Sequence, residues 1–215
     1  MDFAGIPWDK ILEVLGFSIG LLYLWWEYHA DPRLWIASIV MPAISMWIYL
    51  HKGIYADFAI NIYYLVIAVY GYIVWTRPGH KTGNCRDARP VSSSDDKEPQ
   101  EKAARPITRT PRRVMAGCAA VFGLLWVALW AILNYLTDST VPVADAFTTS
   151  LSIVAMWMLA RKYLEQWLAW VAVDAACVCL YAYKGIPLYA VLYTAYTVIA
   201  FIGYRKWRRM MAAQQ

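Results

Sequence analysis

Five long runs of this 215-residue chain contain no Asp, Glu, Lys or Arg: Leu34–Leu50, Phe58–Thr76, Val114–Thr137, Ala146–Ala160 and Gly185–Tyr204. A helix needs about 20 mostly apolar residues to cross the hydrocarbon core of a bilayer, and runs of this kind leave a chain few other folds. Two further segments fit the same pattern if each tolerates a charge. One covers Val14 to Trp26, bounded by Glu13 and Glu27, and the other runs from Glu165 to Lys184 with Asp174 near its midpoint. The reading is an all-α integral membrane protein of seven transmembrane helices. A soluble domain is excluded because 60% of residues are hydrophobic and 16% charged, and the segments are apolar all round rather than along one stripe. The N-terminal MDFAGIPWDK carries acidic residues where a signal peptide would be basic, so no cleavable signal is expected.

Between the third and fourth helices lies TRPGHKTGNCRDARPVSSSDDKEPQEKAARPITRTPRR, rich in Pro, Ser and charge, which reads as a flexible solvated loop. It holds ten Lys/Arg, but five acidic residues dilute them and no aromatic residue interleaves to stack on bases, so no nucleic-acid partner is expected. When the loops are assigned alternately to the two sides of the membrane, one side collects seventeen of the twenty Lys/Arg. The positive-inside rule makes that side, with the long loop and the C-terminus, cytoplasmic, and puts the N-terminus outside a plasma membrane. The net charge of +5 then reports topology and contact with lipid headgroups.

The segment from Tyr49 to Trp75 matches the segment from Tyr181 to Trp207 without gaps, 132 residues apart. Lys52-Gly53-Ile54 falls on Lys184-Gly185-Ile186, Tyr64 on Tyr196, Gly71 on Gly203 and Trp75 on Trp207, and the same offset carries Trp35 onto Trp167. The chain is thus a three-helix unit used twice. The expected divisions are a first repeat (1–76), a cytoplasmic loop (77–113), a linker helix (114–137) and a second repeat with a basic tail (138–215). One linking helix leaves the repeats parallel, in a 3+1+3 order. That is transporter architecture, with a site near the midplane between halves that rock about it.

Polar positions at mid-membrane depth break the repeat: Asp174 falls opposite Pro42, Trp170 opposite Ser38, and Asn61 opposite Tyr193. A charge at the bilayer centre costs about 3 kcal/mol or more, so Asp174 marks a functional site. Trp170, Asp174, Cys177 and Tyr181 form one helical stripe. Asn61 and Tyr64 from the third helix, with Tyr193 and Tyr196 from the seventh, complete an aromatic box with one carboxyl and one amide. Such a box suits a small flat cation. Pro42, which removes a backbone donor in mid-helix, is the hinge candidate. No HExxH, GxSxG or Walker-type motif occurs, so neither an enzyme nor direct use of ATP is expected, and no metal or cofactor. Small residues at Gly117, Ala119, Ala120 and Gly123 offer a face for packing in the bundle or for a homo-oligomer.

The segments YLHKGIYADFAINIYYLVIAVYGYIVW, STVPVADAFTTSLSIVAMWMLARKYLEQWLAWVAVD and YKGIPLYAVLYTAYTVIAFIGYRKW resemble the PnuC family of bacterial vitamin transporters over nearly the whole chain. The resemblance implies SWEET-like 3+1+3 architecture and facilitated diffusion by alternating access, with a cytoplasmic kinase trapping the vitamin as its phosphate. In the family's nicotinamide riboside transporters, a tryptophan of the sixth helix precedes an asparagine by four residues, and a glutamine of the third helix contacts substrate. Trp170 matches the tryptophan, while Asp174 and Asn61 stand where the asparagine and the glutamine are expected. The chain is most similar to the thiamine branch, so thiamine is the expected substrate and nicotinamide riboside the alternative. Outside transport, the competing reading is a vitamin-sensing receptor that signals through the long loop.

Overall fold

The computed structural model describes residues 19–20, 22–52, 55–77, 106–137, 141–185 and 187–214. The expected start of the first helix, Gly53, Cys85 and most of the long loop lie outside the described residues. Within them the chain forms seven helices: α1, described over 22–28, then α2 (Leu34–Lys52), α3 (Tyr55–Thr76), α4 (Arg112–Leu136), α5 (Pro142–Ala160), α6 (Gln166–Tyr183) and α7 (Pro187–Ala213). Local chemistry sets several of these limits. Pro142 stands in the first turn of α5, where its missing N–H leaves no hydrogen bond unmade, and Asp145 adds a negative charge at that helix's positive end. Gly185, at φ 70°, takes the left-handed conformation that turns the chain from α6 into α7.

The outer surface is apolar. Leu124 is 74% and Leu136 77% exposed on α4, a helix with no buried residue, and α4, α5 and α6 are each long and apolar enough to cross a membrane. That exterior is stable against lipid tails and unstable in water. Nothing lies within 4 Å of where a side chain would begin on Gly117 or Gly123, and Gly117 faces Ile153 and Trp157 of α5 across a second cavity.

The 132-residue repeat extends to individual hydrogen bonds. At the end of α1 the N–H of Asp31 donates to the Trp26 carbonyl (2.9 Å) and that of Ala30 to Glu27 (3.0 Å). At the end of α5 the N–H of Tyr163 donates to Met158 (3.0 Å) and that of Lys162 to Leu159 (2.9 Å). Ala30 and Lys162 both adopt φ near +55°, so each repeat turns its first helix into its second with the same Schellman-type cap, built without glycine. The bundle α2 on α3 is mirrored by α6 on α7.

Four tryptophans join the two repeats. Trp35, Trp75, Trp167 and Trp207 are at most 2% exposed. Trp35 meets Trp75 edge-on with ring centroids 5.6 Å apart, and Trp167 meets Trp207 in the same way at 5.7 Å. Trp75 and Trp207 touch at 6.1 Å. The Nε1 of Trp75 donates to the Leu159 carbonyl (3.3 Å), and the Nε1 of Trp207 to the Glu27 carbonyl (3.0 Å). Since Glu27 and Leu159 are themselves 132 residues apart, each repeat donates one indole hydrogen bond to the equivalent carbonyl of the other.

The paired glycines follow from this cluster. A Cβ on Gly203 would stand 2.7 Å from the ring of Trp167, and one on Gly71 would overlap the ring of Trp35. Glycine is required there by the closeness of the rings. Gly203→Ala is therefore expected to destabilise the bundle by about 1–3 kcal/mol, despite alanine's better helix propensity. Thermal unfolding in detergent reads this directly, and an unchanged midpoint would show that Trp167 has room to move.

The long connection is only partly the solvated loop its composition suggests. Ile107 is 3% exposed and its N–H donates to the Gln214 side chain (3.1 Å). Thr108 pairs with the turn between α5 and α6, receiving the Leu164 N–H (3.0 Å) and donating to the Lys162 carbonyl (3.2 Å). Both the N–H and the hydroxyl of Thr110 donate to one carboxylate oxygen of Glu165, at 2.8 and 2.7 Å. One buried isoleucine and one anchoring glutamate order this end of a segment that otherwise reads as too polar to fold.

Candidate functional site

Between the repeats, next to the tryptophan cluster, lies a cavity of about 450 Å³. Helix α6 supplies the wall that the sequence singles out. Trp167, Trp170 and Asp174 line it, and Asp174 is 7% exposed, so its carboxyl faces the cavity and not the lipid. Helix α7 contributes Tyr193 and Tyr196, whose rings meet edge-on at 5.8 Å, and α3 contributes Tyr64. Tyr181 stacks on Tyr193 at 5.2 Å, with the rings 10° from parallel, which fixes the plane that Tyr193 presents. Pro42 is buried in the α2 wall. The box of one carboxyl and several aromatic faces is the size of a small-molecule site.

Asn61, expected beside these groups, is half-buried and is not among the lining residues. Three residues along a helix rotate a side chain about 60° away from its neighbour on the same face, so Tyr64 can reach the cavity while Asn61 points off it. Cys177 is buried one turn beyond Asp174, as the stripe on α6 predicts, without lining the cavity.

The sequence reading missed a second acid. Glu27, taken there as the boundary of the first helix, is 2% exposed and lines the cavity. The Gln166 amide donates to its Oε1 at 3.3 Å, and Tyr23, one turn back on α1, hydrogen-bonds both Glu27 and Ser38. Glu27 and Asp174 are near enough to interact electrostatically. The signal that exposes Asp174 also marks this pair: Glu27 and Gln166 both fall opposite leucines, Leu159 and Leu34, in the other repeat.

Two kinds of side-chain polar atom are buried here without a hydrogen-bond partner. The Nε1 atoms of Trp35 and Trp167 form a pair related by the repeat and belong to the scaffold. The Nε1 of Trp170 and the Oε1 of Gln166 have no such counterpart, since Trp170 falls opposite Ser38, whose hydroxyl donates to the Leu34 carbonyl (2.9 Å). Of these, Trp170 lines the cavity, and an unpaired donor there is what a polar ligand would satisfy. The described lining residues include two acids and no Lys, Arg or His.

Comparison with known proteins agrees with this architecture. Over 92% of its length the chain superposes on the crystal structure of the vitamin B3 transporter PnuC with a TM-score of 0.61 at 17% identity, covering 80% of that protein. It is 24% identical over 216 residues to the nicotinamide riboside transporter PnuC of Escherichia coli K12, spanning 91% of this chain and 84% of that one. A riboflavin/roseoflavin transporter, RibM of Streptomyces davaonensis, is 31% identical over 143 residues, 66% of this chain and 59% of its own. The family model described as nicotinamide mononucleotide transporter matches residues 10–209. With that match spanning nearly the whole chain, and with the fold of a solved vitamin B3 transporter, the chain belongs to the nicotinamide mononucleotide transporter family, the PnuC-type membrane transporters of small vitamins.

Proposed function

We propose that this protein carries nicotinamide riboside across the bacterial inner membrane by facilitated diffusion. The observation that supports it is the cavity between the repeats, with two carboxyl groups, an aromatic wall and no basic side chain among its described lining residues. The pyridinium ring of the riboside is flat and permanently positive. It would stack on Trp170 and the tyrosines through cation–π contact, with Asp174 as counter-charge. Thiamine, the substrate expected from Asp174 and from the thiamine-branch resemblance, gives way here. Relatives matching over nearly the whole chain are nicotinamide riboside transporters, and a carboxyl group serves one organic cation as well as another.

The mononucleotide in the family's description differs from the riboside by a phosphate. Bringing that group beside Glu27 and Asp174, with no Lys or Arg among the described lining residues to meet it, sets like charges together at a cost of several kcal/mol. Calorimetry on the detergent-purified protein is expected to show riboside binding at least about a hundredfold tighter than mononucleotide binding. Equal affinity for the two would overturn the assignment of the cavity.

In liposomes the purified protein should equilibrate labelled riboside without a partner protein or an ion gradient. A vitamin-sensing receptor would bind the ligand without moving it. The basic loop and the C-terminal turn of α7 lie on the cytoplasmic side in this proposal, where a kinase acting on the entering riboside would keep the gradient inward. The open space around Gly123 on α4 is where a second copy of the chain would pack.

A further inference from the structure

Packing does not require the carboxyl group of Glu27. Its main-chain carbonyl accepts the Trp207 indole, but Leu159 makes the same bond to Trp75 in the other repeat with an apolar side chain. Its partner Gln166 likewise occupies a position held in the other repeat by Leu34, which is fully buried in the apolar core. The two repeats therefore meet along one apolar diagonal, Leu34 with Leu159, and one polar diagonal, Glu27 with Gln166. A buried acid and amide placed where leucines suffice are costly unless something completes their hydrogen bonding.

That bonding is incomplete on the side of acceptors. Gln166 spends an N–H on Glu27 Oε1 while its own Oε1 has no hydrogen-bond partner, and Glu27, which Tyr23 also hydrogen-bonds, lines the cavity with its carboxyl group. A carboxyl group lining one end of a cavity can accept from more than one O–H donor of a ligand. An acidic side chain set against vicinal ribose hydroxyls is a recurrent solution to that geometry. We infer that Glu27, positioned by Gln166, anchors the ribose hydroxyls of the substrate, while Trp170 and Asp174 hold its ring. This rests on the riboside reading above and divides the cavity into a sugar end on α1 and a ring end on α6.

The test uses three ligands, nicotinamide riboside, its 2′-deoxy analogue and 1-methylnicotinamide, which has the cationic ring without the sugar. Each is titrated against the wild-type protein and against Glu27→Gln, a change that keeps the oxygen facing Gln166. The wild type is expected to bind the deoxy analogue about tenfold more weakly than the riboside. Glu27→Gln is expected to bind the riboside about tenfold more weakly, to lose the distinction between riboside and deoxy analogue, and to bind 1-methylnicotinamide as the wild type does. Full discrimination in Glu27→Gln, or none in the wild type, would refute the anchor. If the wild type binds no riboside at all, the substrate reading fails instead. Should Glu27→Gln not purify as a single species, the deoxy analogue on the wild type decides alone.

Discussion

Asp174→Ala is expected to lower riboside affinity about a hundredfold or more while the protein still elutes as a single folded species. The carboxyl group is 7% exposed and faces the cavity, and no hydrogen bond or ion pair among the described residues depends on it. Its removal should therefore cost binding far more than folding. A bound cation would lose its counter-charge in a low-dielectric site where that charge is worth most. Asp174→Asn separates charge from hydrogen bonding. The amide keeps a hydrogen-bonding oxygen and loses the counter-charge, so its riboside affinity is expected to fall between those of the wild type and the alanine variant. Calorimetry on the three proteins reads both effects, and an alanine variant with wild-type affinity would remove Asp174 from the site.

Trp207→Ala is expected to be the most damaging single change to the bundle. The ring is fully buried, packs edge-on against Trp167, touches Trp75 and donates to the Glu27 carbonyl across the repeat boundary. Removing it leaves a cavity and takes one of the two hydrogen bonds from a buried carbonyl, together about 3–5 kcal/mol. Trp75→Ala, its equivalent, deprives Leu159 in the same way and should cost a comparable amount. Because the two rings touch, the double variant should lose measurably less or more than the sum of the single losses. The unfolding midpoint of each variant in detergent gives the comparison. A drop of under about 2 °C for Trp207→Ala would mean that the four rings are not what joins the repeats.

Much of this architecture is legible in the sequence because membrane helices obey strong, simple rules. Length and hydropathy give α2 to α6 and the start of α7 to within a few residues, while α7 runs nine residues past the expected Tyr204, through its basic end to Ala213; an ungapped match 132 residues apart gives the repeat, since close-packed pairs such as Gly203 with Trp167 allow little drift. Asp174 is legible because charge is scarce at that depth. Glu27 is harder to read, because a helix-end acid looks like the start of a loop; its break from the repeat opposite Leu159 marks it, and the turn at Ala30 shows that the chain folds back and buries it. The ordered stretch from Ile107 to Thr110 is hidden for the opposite reason. Its anchors, Glu165 and Gln214, lie far along the chain, and composition carries no information about such pairings.

The two indole bonds between the repeats both end on main-chain carbonyls. A carbonyl is supplied by every amino acid, so the joint makes no demand on which side chain stands at position 27 or 159. After a duplication, such a position keeps its structural duty whatever it mutates to. One copy was thus free to stay leucine while the other acquired an acid. A symmetric ancestor could in this way come to hold an asymmetric molecule without first weakening the contact that holds its halves together.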